Sequence, residues 1–460
     1  MVKLFSTYFP KRTVFLAASE TLIVFTILPA VALMHRAGTQ GTASTNGLEF
    51  LRISVAGLIC LTCLYYQDLY KPGFITQSHV MAGRLIRALG IASIVLAILY
   101  VVFPVAALDG AILGIWLVGA GSAAIHYGFL ALNNSNRWSA STLVIGDGCM
   151  ASQVMRIIRS RTELGLNLIG YLGEPSRSTP PYDAPCLGPV ESLPQIIKDI
   201  PVQRVIVAMS DRRAKLPVET LLDLKMAGLT VQEGAEFYEL ATGRIPVDTI
   251  RPSWLIFGSG FRVSRLRSFY KRLMSVTIAT MALLVFSPVM AIVALAIWMD
   301  STGPVIFRQV RIGMHGMPFT LYKFRTMYDG ADRGGDALPA EPNDRRVTRV
   351  GLWLRRFRFD ELPQLYNILT GHMSLVGPRP FVPNQELELA ERIPLYKQRW
   401  AARPGATGWA QVQRGYCATL DDNVEKLAYD LFYIKNMSIG LDLWIVFKTI
   451  KVVFAGIGGR

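Results

Sequence analysis

The chain has 460 residues, 51% of them hydrophobic and only 18% charged, and its 48 Lys and Arg against 33 Asp and Glu give a formal net charge of +15. Such apolar content excludes a disordered chain, and a charged share below the usual value of about 25% argues against a purely soluble enzyme. The length suits about three domains, and with long apolar runs present the basic excess points to anionic lipid and phosphorylated substrates rather than nucleic acid.

Four apolar runs open the chain, at residues 13–34, 48–66, 88–108 and 111–132, each long enough to cross a bilayer. The first lacks a small-residue cleavage site and reads as a retained span rather than a signal peptide. Lys3, Lys11 and Arg12 precede it, and Lys71, Arg84 and Arg87 fill the loop before the third run, whereas the loop 107–110 carries only Asp109. The positive-inside rule then puts both ends of this bundle in the cytoplasm. Cys60 and Cys63 have C-x-x-C spacing inside an apolar run, where they read as buried small side chains. The remaining cysteines, at 149, 186 and 417, are too scattered for a disulfide framework or a zinc cluster.

From residue 141 short β-rich runs alternate with helical stretches, which predicts a βαβ series and a small parallel-sheet, Rossmann-like domain. Strands are expected at 142–145, 166–171, 202–209 and 229–232, with helices through Met155 and Ile158 and at 191–198 and 217–226. Gly146 and Gly148, followed by Ala151, match the dinucleotide fingerprint G-x-G-x-x-A, whose backbone amides hold a pyrophosphate at a helix start. The acidic ribose partner is missing at its usual spacing, with Glu163 and Glu174 the nearest residues. Two readings stay open: cofactor binding at Gly146 and Gly148, or a glycine turn in a structural or regulatory domain.

Residues 273–299 form a fifth apolar run, flanked by Arg262, Arg265, Arg267, Lys271 and Arg272 upstream and by Arg308 and Arg311 downstream. A full crossing would carry the basic C-terminal region out of the cytoplasm, against the rule just used. Ser287-Pro288 lies mid-run, where proline removes a helical hydrogen bond. A helix that enters, breaks at Ser287 and Pro288 and returns resolves the conflict; an ordinary kinked span is the alternative.

The last 160 or so residues carry the chemistry. Asp360-Glu361-Leu-Pro-Gln364 sets two carboxylates before an apolar helical run, with Arg355, Arg356 and Arg358 upstream and Gly377-Pro378-Arg379-Pro380 downstream. Lys323-Phe-Arg325-Thr326-Met327 adds further cations. Carboxylates suit a hard cation such as Mg²⁺, and arginine forks neutralise phosphate oxygens, so the pattern fits metal-assisted phosphoryl transfer. A carboxylate can also act as nucleophile. Acidic residues merely complementing a helix dipole are the plainer reading of such a pair. The histidines at 35, 79, 126, 315 and 372 form no ligand spacing.

These residues resemble the bacterial polyprenyl-phosphate hexose-1-phosphate transferases, membrane enzymes that start exopolysaccharide or O-antigen synthesis. The resemblance is strongest from Phe269 onward, through Pro304-Val-Ile-Phe-Arg308-Gln309-Val-Arg311-Ile-Gly313, 319–327, 360–364 and 367–380. It continues in Arg403-Pro-Gly-Ala-Thr407-Gly408-Trp409-Ala-Gln411 and Tyr433-Ile-Lys-Asn436-Met-Ser438. It implies a membrane protein of mixed class: a four-helix transmembrane bundle (1–135), an α/β Rossmann-like cytosolic domain (140–255), a re-entrant membrane helix (265–302) and an α-rich catalytic domain (303–460). It further implies Asp360 as nucleophile, Glu361 as Mg²⁺ ligand, Arg355 and Arg379 on phosphate, and Ser287-Pro288 as the re-entrant break. Lys323, Arg325 and Arg308 are assigned to substrate phosphates on charge and motif position. Phe357-Arg358-Phe359 departs from the small polar run usual before the acidic pair, and His372 occupies a variable site.

The implied reaction moves hexose 1-phosphate from a UDP-hexose, glucose or galactose, to undecaprenyl phosphate and releases UMP. The implied setting is the bacterial inner membrane, multi-pass, with the catalytic domain facing the cytoplasm, the lipid bilayer and downstream glycosyltransferases as partners, homo-oligomerisation open and nucleic acid excluded. A direct glycosyltransferase, releasing UDP, and a membrane scaffold or sensor are the competing readings.

Overall fold

In the computed structural model, residues 2–4, 6–40, 47–70, 78–102, 111–134, 139–173, 184–209, 216–249, 260–261, 264–331, 344–414 and 419–454 are described. Lys71, Asp109, Glu174, Arg262 and Cys417 lie outside them. The chain divides into two units, residues 8–237 with 1–2, and residues 238–460 with 3–7.

The first unit begins with α1 (Lys11–Gln40), α2 (Gly47–Tyr66), α3 (Ser78–Val102) and α4 (Ala111–Asn134). They fall on the four apolar runs. Arg84 and Arg87, expected in a loop, belong to α3, which starts earlier than its apolar run; Arg84 turns back to the carbonyl of Gln67 at 3.4 Å, as long basic side chains do at a helix end. By length and composition α1, α3 and α4 could cross a membrane, while the apolar part of α2, Phe50–Tyr66, is shorter. Val24, Leu28 and Val118 are buried between helices, and Phe15, Leu22, Ile94 and Trp116 face outward, an apolar exterior that suits lipid rather than water. Cys60 is buried, in keeping with its reading as a packing residue. Inside the bundle Glu20 accepts a hydrogen bond from Tyr70 and lies 3.1 Å from His126 Nδ1.

Next come β1 (Ala140–Ile145), α5 (Cys149–Ser160), β2 (Leu166–Leu172), β3 (Cys186–Gly188), α6 (Leu193–Asp199), β4 (Arg204–Val207), α7 (Val218–Met226) and β5 (Thr230–Glu233). The five strands form one parallel sheet in the order β3-β2-β1-β4-β5. Its core is built from the buried runs of β1 and β4, with Leu172 and Leu193. The edge strand β3 carries too few apolar residues to stand out in sequence. Gly146 follows β1 with φ +132°, and a Cβ there would lie 2.6 Å from the Ala208 carbonyl. Close approach of two chain segments beside the sheet therefore requires this glycine. Gly148 precedes α5 in extended conformation.

Helix α8 (Gly234–Thr242) leads into the second unit. The boundary expected at 255 moves to 237/238, because Ile245 and Val247 are buried in the same core as Leu431, Phe432 and Trp409. No hydrophobic periodicity announces two buried residues in an irregular segment.

Helix α9 (Arg265–Asp300) runs for 36 residues with Pro288 inside it. The expected break at Ser287-Pro288 is thus not an interruption of the helix. Pro288 cannot donate to the carbonyl four residues back, that of Leu284, but the Ser287 hydroxyl donates to it at 2.9 Å and replaces the lost hydrogen bond. Met281, Leu284 and Val285 are exposed. Both ends are packed on the rest of the unit. Toward the start, Arg272 donates to Leu369 O at 2.8 Å and Ser275 meets Ser374 at 3.2 Å; toward the end, Asp300 accepts from the Val350 amide at 3.2 Å.

The remaining elements are the antiparallel hairpin β6 (Ile306–Ile312) and β7 (Pro318–Phe324), α10 (Arg349–Phe357), α11 (Gln364–Thr370), β8 (Ser374–Val376), α12 (Pro383–Arg392), β9 (Gly405–Thr407), α13 (Trp409–Gln413), α14 (Leu420–Asn436) and α15 (Ile439–Phe454). β8 and β9 pair in parallel. A cluster joins the base of α9 to α14 and α15: Lys271 Nζ contacts the Tyr433 hydroxyl, donates to Val376 O at 3.0 Å and lies 3.3 Å from Asp442, whose other oxygen accepts from Tyr433 at 2.7 Å. Asp442 is fully buried. Lys271→Ala should therefore cost about 3–5 kcal/mol by stranding that carboxylate, with most of the loss recovered in a Lys271→Met, Asp442→Leu double variant. Unfolding midpoints of the detergent-solubilised protein would measure both.

Candidate active site

Asp360 and Glu361 sit on a short 3₁₀ turn, Phe359–Glu361, between α10 and α11. Arg358 creates it by adopting the left-handed region (φ 56°) at the end of α10, a conformation costing a non-glycine residue about 1–2 kcal/mol. Phe359 and Leu362, on either side of the acids, pack against the cluster that Val293 and Ile297 of α9 form with Phe324 of β7 and Leu354 of α10. The carboxylates are thus held where helix, hairpin and α10 meet.

Glu361 gathers most of the surrounding charge. Its Oε1 accepts from Arg379 Nη2 at 2.9 Å and lies 3.6 Å from Lys323 Nζ, and its Oε2 is 3.8 Å from Arg358. Burial works against its ionisation, but Arg379, Lys323 and Arg358 together hold it well below the usual carboxylate range. Asp360 goes the other way. Burial and the neighbouring Glu361 charge push it up to about 6, with Lys323, Arg355 and Arg379 only partly opposing them. Two adjacent carboxylates are thereby made unequal, one firmly ionised and one titrating near neutrality. Glu361 also raises the pKa of Arg379, while burial lowers that of Lys323.

The predicted site residues divide. Asp360, Glu361, Lys323 and Arg379 come together. Arg355 lies alongside, donating from Nε to Thr326 Oγ1 at 2.9 Å while its charge acts on Asp360. Arg325, expected on substrate phosphate, is instead buried, donating to Ser301 O at 2.6 Å and Ser301 Oγ at 2.9 Å. It caps the C-terminal end of α9, where a cation meets the helix dipole. Arg308 also stands apart from the acid pair's partners. In the β6–β7 register it opposes Tyr322, while Lys323 opposes Phe307, so Arg308 lies on the other face of the hairpin from Lys323. Arg311, which the sequence reading left without a role, shares Lys323's face and lines a cavity with Lys323, Gln364 and Arg379. Counting alternate residues forward along β6 from Phe307, which opposes Lys323, reaches it. His372 stacks on Phe319 at 6.1 Å and meets Thr370 at 2.9 Å, away from the carboxylates' contacts. Among the described residues, no group of three or more His, Cys, Asp or Glu is placed to hold a metal.

A half-buried acid pair with arginine and lysine partners thus lies beside a cation-lined cavity, an arrangement chemically suited to phosphate esters. The family described as Bacterial sugar transferase matches residues 266–456, the helix and catalytic unit together. The chain is 41% identical over 235 residues to a UDP-N-acetylgalactosamine-undecaprenyl-phosphate N-acetylgalactosaminephosphotransferase of Aeromonas hydrophila, covering 51% of this chain and 55% of that protein. It is 35% identical over 317 residues to the UDP-glucose:undecaprenyl-phosphate glucose-1-phosphate transferase of Escherichia coli (strain K12), 67% of this chain and 66% of that one. A protein of the same name from Xanthomonas campestris pv. campestris is 31% identical over 360 residues, 73% of this chain and 72% of that one. The chain belongs to the bacterial sugar transferase family.

If Asp360 must be ionised to act, kcat/KM for the sugar-nucleotide donor should rise with pH through about 6 and level off above it. A pH profile of nucleotide release would locate that limb; an inflection near 4, the ordinary carboxylate value, would mean that the acting group is not raised by burial and a neighbouring charge.

Proposed function

We propose that this chain transfers hexose 1-phosphate from a UDP-hexose to undecaprenyl phosphate, releasing UMP and supplying the lipid-linked sugar that downstream glycosyltransferases extend into exopolysaccharide or O-antigen. The observation that carries this reading is the unequal carboxylate pair within reach of Arg379, Lys323 and Arg355. The printed activities of the relatives point the same way, with glucose and N-acetylgalactosamine both represented.

A carboxylate oxygen of Asp360 attacks the β-phosphorus of the donor. The bond from that phosphorus to the bridging oxygen breaks, UMP leaves with the electron pair, and the hexose phosphate stays as an acyl phosphate on Asp360. An oxygen of undecaprenyl phosphate then attacks the same phosphorus and regenerates the carboxylate, so one hard displacement becomes two. Arg379, hydrogen-bonded to Glu361 at 2.9 Å, and Lys323, 3.6 Å from it, turn their N–H groups to the phosphate oxygens. Arg311 faces the same cavity and supports the donor phosphates beside them.

Mg²⁺ is compatible with these donors. It is commonly held by one or two carboxylates plus substrate phosphates rather than an all-protein cage, and Asp360 and Glu361 provide two. Glu361 would be its main ligand, and the ion would offset charge on the diphosphate.

Membrane geometry supports the same chemistry. Arg272 and Ser275 near one end of α9, and Asp300 near the other, bind a single unit. A full crossing sets helix ends on opposite sides of about 30 Å of hydrocarbon, so we read α9 as a helix that stays hydrogen-bonded but kinks at Pro288 and returns to the face it entered. Leu352, Trp353 and Phe357 on α10 are exposed beside Arg349 and Arg356, an amphipathic surface suited to the headgroup boundary. A cytoplasmic site there meets a soluble donor and a lipid acceptor.

Asp360→Asn should abolish UMP release and covalent labelling by donor radiolabelled in the β-phosphate, since an amide is a poor nucleophile. Release of UDP instead of UMP by the unaltered chain would favour a direct glycosyltransferase. Cysteines placed at Arg267 and Thr302 should both resist an impermeant thiol reagent added outside intact cells. Labelling at Thr302 alone would establish a full crossing.

A further inference from the structure

The segment from Pro378 to Phe381 carries the phosphate-binding Arg379 between two prolines that offer no backbone N–H. Its carbonyls are nonetheless all engaged: Pro378 O by Gly405 N at 3.0 Å, Arg379 O by Arg399 Nη2 at 2.8 Å, Pro380 O by Arg311 Nη1 at 3.3 Å and Phe381 O by Ile312 N at 3.2 Å. The Phe381 amide donates to Glu386 Oε1 at 3.4 Å, and that same oxygen accepts from Arg399 Nη1 at 2.9 Å. One ion pair therefore grips the strap at two points, the guanidinium on a carbonyl and the carboxylate on an amide.

The pair is deeply placed, with Arg399 only 4% and Glu386 only 2% exposed. Arg399 also donates to Asp430 at 3.1 Å and lies over the Phe381 ring, 5.0 Å from its centroid. Burying one guanidinium with two carboxylates is poor value as stabilisation, since apolar residues of similar volume are often as stable or more so. Its distinguishing product here is the fixed backbone at Arg379, whose own guanidinium meets Glu361 at 2.9 Å.

We propose that Arg399 and Glu386 are positioning residues, which set the backbone of Arg379 so that its guanidinium is aimed at Glu361 and the transferring phosphate. The proposal rests on the reading of Arg379 as a donor-phosphate ligand. Lysine at 399 keeps the charge but cannot reach Glu386, Asp430 and the Arg379 carbonyl together. Asp430 touches the same guanidinium but not the strap, so it separates positioning from mere stability.

The test uses the full-length protein in detergent, with UDP-glucose and undecaprenyl phosphate as substrates. Arg399→Lys should lower kcat by about 100-fold, the scale of a 1 Å misplacement, with KM changing by less than about threefold. Glu386→Gln should fall in the same direction, while Asp430→Asn stays within about threefold of the parent. In an Arg379→Ala background, adding Arg399→Lys should cost less than about threefold, because the group being aimed is already gone. Equal losses in Glu386→Gln and Asp430→Asn, or a full Arg399→Lys effect without Arg379, would overturn the proposal. Amide hydrogen exchange over residues 378–386, measured without substrate, keeps the test independent of the assigned reaction. Exchange should quicken in Arg399→Lys and Glu386→Gln but not in Asp430→Asn, and unchanged exchange in both of the first two would also overturn it. A parent protein that makes no UMP while its variants show the expected exchange would count against the reaction and not against the strap.

Discussion

The apolar cluster in which Val293 and Ile297 of α9 meet Phe324 of β7 and Leu354 of α10 is the constraint from which the site follows. Phe359 and Leu362, which bracket Asp360 and Glu361 in sequence, pack against that cluster, so the acids are tied to helix, hairpin and α10 together. Both side chains are partly buried, and full burial of such a side chain is worth roughly 1.5–3 kcal/mol, so the two together are of the size needed to offset the left-handed turn at Arg358. Arg325 strengthens the joint from below by capping the same helix at Ser301. A guanidinium that resembled a substrate ligand thus keeps the helix and the hairpin in register.

Around that fixed turn, charge is distributed unevenly. Glu361 takes the close cations, and Asp360 is left partly desolvated beside an anion. The asymmetry comes from position rather than residue type, since the two side chains differ by one methylene. The covalent scheme proposed above calls for a carboxylate that is ionised yet not saturated by salt bridges, and a group pushed up to about 6 is mostly ionised at neutral pH.

The first unit has a different economy. Its bundle turns apolar surface outward, and its parallel sheet uses Gly146 to bring the end of β1 against Ala208. That steric demand accounts for one of the two glycines in the nucleotide-like fingerprint without a ligand. Glu20 and His126 are buried and, with the half-buried Tyr70, form a polar cluster that ties α1 to α4.

Long apolar runs, the alternation of short strands with helices and the density of basic and acidic motifs after residue 300 were readable from the sequence. They depend on local composition and period, which burial in lipid or in a sheet imposes directly. Asp360, Glu361, Lys323 and Arg379 were legible because charges of both signs recur there in a motif-rich stretch. Arg308, Arg311 and Arg325 were not distinguishable by type: hairpin register puts Arg308 on the face opposite Lys323 and Arg311 on the same face as Lys323, and a helix end claims Arg325. The continuity of α9 through Pro288 likewise depended on where one serine hydroxyl points. Arg399 and Glu386, thirteen residues apart, meet through folding alone. Composition and period determine which segments become helix, strand or membrane surface, but the partner of each charged side chain is set by long-range packing, and only the tertiary structure decided that.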